Sequence, residues 1–453
     1  MGNGQGVRAS GFARFVRRGR RWVLRLHPSR RLFVGYLAWA VAGFAALLLP
    51  VSHEGPLRPF DAFYIATATV STGGLMPYDL GALLTVPGEV AVLLLLQVGG
   101  LGYMTLGSFA YLALSDRLGA LHATSLRAGF GLGDAIDLRL FVRSVALFTL
   151  ACEAGGTLAL WWAFSRAGVP DPLWQGLFHA VSAFCTAGIS LLPTGLEPFR
   201  ADPAINAIVL SLALLGALGF LVVVDLWRRA RHGSALGFSS VVILRVFPLL
   251  VGGGAALLFF TEPLMADLAV PERVMAALFQ AANASTTAGF NTVPIGAVGP
   301  AAAMLLMALM FIGSAPAGTG GGFKVTSFAA LWGLMQDTIM QRRRCTIFGR
   351  RVSDERLRLA AASLLAYLVM IALGAFGIAM LEPGLALGRI AFEVVAALTN
   401  AGLSQGVTAE LGDGGRAVIA AAMFAGRLGV LTFGLALGFR GAEEAGVDED
   451  LVL

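Results

Sequence analysis

The chain is predicted to be an all-α integral membrane protein of four parallel repeats, and three observations carry that fold class. Of its 453 residues, 57% are hydrophobic and 13% charged, against about 25% charged in a typical soluble domain. Apolar runs of roughly 20 residues, the length that crosses a hydrocarbon core, recur from one end to the other. Four small-residue signatures stand between paired runs: Val70-Ser71-Thr72-Gly73, Cys185-Thr186-Ala187-Gly188, Thr286-Thr287-Ala288-Gly289 and Thr399-Asn400-Ala401-Gly402. Their final glycines lie 115, 101 and 113 residues apart. No polar stretch is long enough for a soluble catalytic or nucleotide-binding domain.

The first repeat, 32–115, has an apolar run at 32–50, a short segment from Phe60 to Val70, the signature, and a second run at 83–114. The same order recurs in 136–232 with runs near 141–165 and 204–227, and in 239–345 with runs near 241–260 and 299–338. It recurs again in 355–440, with runs near 358–381 and 415–438. The short segments, near 172–185, 272–286 and 387–399 in the later repeats, cannot span a bilayer at about 1.5 Å per residue. They predict re-entrant half-helices. Non-helical backbone at membrane depth is tolerated only inside protein or along a watery cavity, so four such segments predict a shared polar axis. An even number of spans per repeat gives every repeat the same orientation, unlike inverted-repeat transporters. The expectation is eight transmembrane helices plus four re-entrant half-helices in a pseudo-fourfold arrangement around one pore.

The net charge of +6 is concentrated: nine arginines fall in 1–31, four in 228–245 and seven in 342–358. These clusters adjoin apolar runs, as the positive-inside rule expects of cytoplasmic segments, and they point to the lipid bilayer rather than to nucleic acid as the partner. The basic tail 1–31, the joins between repeats and the tail 441–453 are therefore placed in the cytoplasm and the signatures on the outer side. The N-terminal stretch does not read as a cleavable signal, since its basic part is long and no small-residue cleavage site follows. The cysteines form no pairing framework and no metal-ligand spacing. Against 32 arginines there is one lysine, Lys324.

Stripping water from a potassium ion requires replacement oxygens, which rings of backbone carbonyls supply. Small residues ending in glycine suit this, because glycine permits the backbone turns involved. A half-helix ending at the signature points its partly negative C-terminus at the ion path. The bland alternative for any one signature is a helix-packing motif. The run at 299–338 is broken by Gly313-Ser314-Ala315-Pro316-Ala317-Gly318-Thr319-Gly320-Gly321-Gly322, then Phe323-Lys324. Proline and glycine disfavour helix there, and the segment reads either as a gate beneath the signatures or as a bend. It lacks the Gly-Lys-Ser/Thr ending of a phosphate loop. Arg427, an arginine at membrane depth, reads as a barrier to cations or as half of an ion pair with Glu153 or Glu393. His179 reads as a packing or hydrogen-bonding residue, and Asp225 as the partner of Arg228 and Arg229. Gly99-Gly100-Leu101-Gly102 and Gly252-Gly253-Gly254 read as close helix approaches.

The chain resembles the Trk/Ktr/HKT superfamily of potassium transporters, most closely the ion-translocating subunit of bacterial Ktr systems. The resemblance covers roughly 31–440. It rests on Gln97-Val98-Gly99-Gly100-Leu101-Gly102, the stretch from Phe178 to Gly188, Thr287-Ala288-Gly289-Phe290-Asn291-Thr292, Phe392-Glu393-Val394-Val395, and Gly426-Arg427-Leu428-Gly429. It implies four pore units whose filter glycines are Gly73, Gly188, Gly289 and Gly402. Gly73 is chosen over Gly74 by alignment with the other signatures. It further implies a gating loop at 313–324, including Gly313, Ser314, Gly318, Thr319, Gly320, Gly321, Gly322 and Lys324, and a pore arginine, Arg427. A homodimer, a separate cytosolic nucleotide-binding ring and residence in the bacterial cytoplasmic membrane are implied too. Potassium would be the substrate, with sodium a candidate activator and no covalently bound cofactor. Pro316, the triple glycine and Val430 depart from the family pattern. A sodium-coupled or sodium-permeable carrier is the alternative within transport. A membrane enzyme is the alternative of another class, but no cluster of Asp, Glu, His or Ser supports it.

Overall fold

The computed structural model describes residues 26, 28–102, 138–342 and 345–437. The tails and the join after the first repeat lie outside the described residues.

Each quarter begins with a long helix, followed by a short helix, a signature and a second helix. The first quarter comprises α1 (Pro28–Leu47), α2 (Pro59–Val70) and α3 (Val86–Leu101). The second has α4 (Leu138–Arg166), α5 (Pro172–Phe184), α6 (Pro203–Leu218) and α7 (Phe220–His232). The third has α8 (Phe238–Thr261), α9 (Val270–Thr286), α10 (Pro300–Ile312) and α11 (Val325–Ile339). The fourth has α12 (Asp354–Leu381), α13 (Leu387–Leu398), α14 (Asp413–Leu428) and α15 (Val430–Leu437). Proline in the first turn starts α2, α3, α5, α6, α9 and α10, where its missing N–H costs nothing. Asp202 caps α6 by accepting from the N–H groups of Ala204 and Ile205, satisfying two of the free donors there.

The long helices lie outside and the short helices inside. α12 exposes Leu365, Leu368, Leu373 and Phe376, an apolar surface of the kind lipid covers. By contrast α5, α9 and α13 are buried over most of their length. One core cluster joins Tyr64 of α2, Leu258 of α8, Ala276 of α9, Phe392 of α13 and Met423 of α14, and a second joins Ile65 of α2 and Val92 of α3 to Phe178 and Val181 of α5.

Among the described residues, four helices are long and apolar enough to cross a membrane, or up to six if each bent pair counts as one span. The second helices all end early, and in the first quarter the rest of the run, 103–114, lies outside the described residues. Each stops at a glycine with positive φ: Gly102 (76°), Gly219 (80°), Gly313 (62°) and Gly429 (82°). α14 and α15 meet at 102° across that break. Only the break at Gly313 is expected from sequence; Gly102 stands in a stretch that reads as a close helix approach, and Gly219 and Gly429 carry no expectation of a break.

One departure from the all-α expectation is a hairpin of β1 (Thr346–Ile347) and β2 (Arg350–Arg351). Its loop residues Phe348 (φ 49°) and Gly349 (φ 76°) both have positive φ, the geometry of a tight two-residue hairpin. Asp337 at the end of α11 holds it, accepting from the Thr346 N–H at 2.8 Å. Asp225 also departs from expectation. It accepts from Gly237 N–H at 3.1 Å and the Ser240 hydroxyl at 2.6 Å, fastening α7 to the start of α8. Among the described residues no ion pair joins it to Arg228 or Arg229.

Candidate functional site

All four short helices end in the same hydrogen-bonded turn. The N–H groups of Gly73, Ala187, Ala288 and Ala401 reach back five residues, to the carbonyls of Ala68 (2.8 Å), Ser182 (2.9 Å), Asn283 (3.0 Å) and Ala396 (2.9 Å). The preceding N–H groups, of Thr72, Thr186, Thr287 and Asn400, reach back three, to Thr69, Ala183, Ala284 and Ala397. This bond pair is the Schellman C-cap, whose central residue is usually glycine in the left-handed region. Here that residue is Thr72 (φ 51°), Thr186 (51°), Thr287 (56°) or Asn400 (53°). A β-branched residue at positive φ is strained, and three at equivalent positions mark a site held by its surroundings.

The turn corrects the register of the first signature. Two residues after the left-handed residue stand Gly74, Gly188, Gly289 and Gly402, all with positive φ. Gly74, not Gly73, is therefore equivalent to the other three, and the first signature runs Ser71-Thr72-Gly73-Gly74, leaving Val70 as the last helical residue of α2.

The four glycines meet in cyclic order. A methyl group on Gly74 would lie 2.5 Å from the Ala187 carbonyl oxygen, one on Gly188 2.6 Å from that of Ala288, one on Gly289 2.8 Å from that of Ala401, and one on Gly402 3.2 Å from that of Gly73. Each quarter's glycine thus rests on the carbonyl preceding the next quarter's glycine. Thr69, Ser71 and Thr72 add buried hydroxyls that have no protein partner.

The second helices press on the ends of the short ones. A methyl on Gly99 would strike the Val70 carbonyl, one on Gly216 that of Phe184, and one on Gly426 that of Leu398. The close approach expected at Gly99 and Gly100 is present, Gly100 lying against Cys185. Gly252 and Gly253 face nothing within 4 Å, and of that triplet only Gly254 packs, against Leu309. Gly216 is an isolated glycine in an apolar run and carries no distinguishing signal, whereas Gly426 belongs to the Gly426-Arg427-Leu428-Gly429 motif, which does not by itself mark it as a close contact.

The 313–324 segment lies under the second, third and fourth signatures. The Thr319 hydroxyl donates to the Phe184 carbonyl at 2.9 Å and lies 3.3 Å from the Thr186 hydroxyl. Gly321 N–H donates to the Thr287 hydroxyl at 2.8 Å. A methyl on Gly320 would meet the Thr286 carbonyl at 2.6 Å, and Gly321 lies against the Thr399 carbonyl. Lys324 folds back on the segment, its ammonium 2.6 Å from the Gly320 carbonyl, 3.3 Å from the Ser314 hydroxyl and 3.4 Å from the Gly321 carbonyl.

Arg427 does not pair with Glu153 or Glu393. It donates to the Thr319 carbonyl at 2.6 Å, to the Gly100 carbonyl at 3.0 Å and to the Gly99 carbonyl. Its charge therefore ties α14 to the segment and to the end of α3. Glu153 accepts instead from Gln97 at 2.7 Å, and Glu393 from Ser404, Gln405 and Thr408. A cavity of about 270 Å³ opens beside the segment, lined by Gly320, Gly321, Lys324, Arg427, Tyr36 and Tyr367. His179 is fully buried and hydrogen-bonded, to the Gln175 carbonyl and the Ser190 hydroxyl, both at 2.8 Å.

Residues 31–439 match the TrkH family model, described as a cation transport protein. The chain is 31% identical over 413 residues to the Ktr system potassium uptake protein B of Vibrio alginolyticus, covering 89% of this chain and 90% of that protein. It is 30% identical over 427 residues to the protein of the same name from Bacillus subtilis, covering 91% and 93%. The crystal structure of the potassium transporter TrkH from Vibrio parahaemolyticus superposes with a TM-score of 0.71 at 20% identity, covering 92% of this chain and 86% of that one.

Proposed function

Because the chain belongs to the TrkH family of cation transport proteins, a family of transporters and not of enzymes, we propose that it takes up potassium across the bacterial cytoplasmic membrane. The observation that carries this reading is the cyclic contact of Gly74, Gly188, Gly289 and Gly402 with the carbonyls of the neighbouring quarters. Four equivalent chain turns brought together put backbone oxygens at one place, and oxygen rings replace the hydration shell of a monovalent cation. The C-termini of α2, α5, α9 and α13 end at that place and add partial negative charge. In this reading the four quarters surround one pseudo-fourfold pore. The filter residues are Ser71, Thr72, Gly73, Gly74 and the three other signatures. The name shared by the two curated relatives, a potassium uptake protein, supports potassium as cargo, and sodium is kept as a candidate activator.

The 313–324 segment is the gate. It underlies three signatures, and Lys324 and Arg427 hold its carbonyls with charged donors, the strong class of hydrogen bond. Two cationic groups beside the path also oppose cation occupancy until the segment moves. The N-terminal tail faces the cytoplasm; a second copy of the chain in the membrane and a separate cytosolic nucleotide-binding ring complete the assembly, and the word "system" in the relatives' names fits a multi-component transporter.

Potassium uptake by cells lacking their own transporters, and potassium flux into proteoliposomes holding the purified chain, test the reading. Growth at limiting potassium and a flux that discriminates against sodium are expected. A folded protein that carries neither cation, or carries sodium in preference, overturns it.

A further inference from the structure

Behind the ring glycines, each short helix sends one polar side chain to the strand that leaves the ring. In the second quarter His179 stands nine residues before Gly188. Its Nδ1 donates to the Gln175 carbonyl, and its Nε2 pairs with the Ser190 hydroxyl at 2.8 Å, two residues past the glycine. In the third, Gln280 stands nine before Gly289 and donates to the Thr292 hydroxyl at 3.3 Å. In the fourth, Glu393 stands nine before Gly402. It accepts from the Ser404 hydroxyl at 2.6 Å, from the N–H groups of Gln405 at 3.3 Å and Thr408 at 2.9 Å, and from the Thr408 hydroxyl. The first quarter has Ile65 at this position. There the preceding residue, Tyr64, takes over, its hydroxyl donating to the Leu75 carbonyl at 2.8 Å. Tyr64 occupies the place held by Phe178, Phe279 and Phe392 elsewhere, and all four rings are fully buried.

These groups differ in chemistry but share an address and a target. Each is fully or almost fully buried, and each makes a hydrogen bond to at least one atom within six residues past a ring glycine, His179 making a second one back to its own helix. A buried polar group is costly unless paired, so a helix-packing role alone would be served better by the alanines and leucines found around them.

We propose that Tyr64, His179, Gln280 and Glu393 are positioning residues for cation selectivity. They brace the strand downstream of each ring glycine and so fix the spacing of the ring's carbonyls. The proposal rests on the potassium-transport reading above. Discrimination between two cations of different radius requires that spacing to resist collapse, and a downstream strand left unbraced lets the carbonyls follow the smaller ion. The quarters brace unequally: Glu393 gathers four donors, whereas Gln280 makes one bond and its Oε1 has no protein partner.

Permeability of potassium relative to sodium, measured with total potassium flux in proteoliposomes, tests the proposal. Removing only the partner hydroxyls, by Ser190→Ala, Thr292→Val and Ser404→Ala, leaves the buried helices untouched. Each is expected to lower the permeability ratio roughly threefold to tenfold, the order of one lost hydrogen bond, while potassium flux falls by less. Gln280→Met should match Thr292→Val, and the double variant should be no worse than either single one, because paired groups are not additive. Unchanged ratios in all the hydroxyl variants and in Gln280→Met, with normal wild-type potassium flux, overturn the brace and leave the transport reading standing. Additive losses in the double variant also overturn it. Absence of potassium flux in the wild type overturns the transport reading and the inference with it.

Discussion

A methyl group at Gly74 would sit 2.5 Å from the Ala187 carbonyl oxygen, on backbone at φ +68°. Gly74→Ala is therefore expected to cut potassium-over-sodium permeability at least roughly tenfold, since left-handed backbone alone costs an L-residue about 1–2 kcal/mol. Gly73 does not have a positive φ, and what a methyl there would meet is the Met423 side chain, which is flexible and adaptable. Gly73→Ala is expected to lower thermal stability by about 1–3 kcal/mol, the usual cost of overpacking, and to keep selectivity. The reverse outcome in the flux assay would return the first filter position to Gly73. Arg427→Ala removes the donors to Thr319, Gly99 and Gly100, and flux is expected to rise roughly tenfold, as loss of a charged hydrogen bond of about 1.5–3 kcal/mol allows. A folded variant with wild-type flux would restrict Arg427 to a structural part.

At the scale of elements, the 313–324 segment is fastened to α6 by the N–H groups of Ala315 and Thr319, which donate to the carbonyls of Ala217 and Gly216, and the Thr319 hydroxyl makes the bond to the end of α5. Thr319→Val keeps the shape and removes that bond. It is expected to raise closed-state leak severalfold, while Gly313→Ala, at φ +62°, should reduce the amount of folded protein. Equal leak in Thr319→Val and wild type would count against the segment as gate. How far these elements were legible in the sequence differs by kind. The short helices and their signatures were plain, because apolar runs flank them and small residues end them. The one broken span with a run of glycines was plain for the same reason. The breaks at Gly219 and Gly429 were not, because one glycine in an apolar run is tolerated within a helix. The frame of the first signature was hidden by its doubled glycine: only backbone dihedrals separate Gly73 from Gly74. The hairpin at 346–351 has strands too short to show alternation. The braces did leave a trace, an aromatic residue then a polar one in Phe178-His179, Phe279-Gln280 and Phe392-Glu393.

Across the whole molecule, ionic contacts stitch the quarters together. Arg58 binds Asp61 at 2.8 Å and reaches Asp413 in the fourth quarter at 2.9 Å. Arg200 and Glu272 join the second quarter to the third at 2.7 Å. The Arg58–Asp413 side chains are 57% and 53% exposed, so Asp413→Asn should cost less than about 1 kcal/mol in thermal unfolding. Tyr78 is better placed, donating to Asp61 at 2.6 Å and accepting from Arg416 at 2.7 Å. Tyr78→Phe should cost about 1–3 kcal/mol, because it leaves part-buried charged groups short of a partner. A larger loss for Asp413→Asn than for Tyr78→Phe would reverse this ranking.

The cyclic glycine contacts also bear on how such a molecule can change. In a ring of identical subunits one codon governs every edge, so a substitution is felt at all positions at once. Here the contacts of Gly74, Gly188, Gly289 and Gly402 are written in four separate places along one chain. A single mutation alters one edge and leaves three as they were. On the proposed filter reading, cation preference in this architecture can therefore drift by quarter steps, each exposed to selection while the remaining edges keep the protein working.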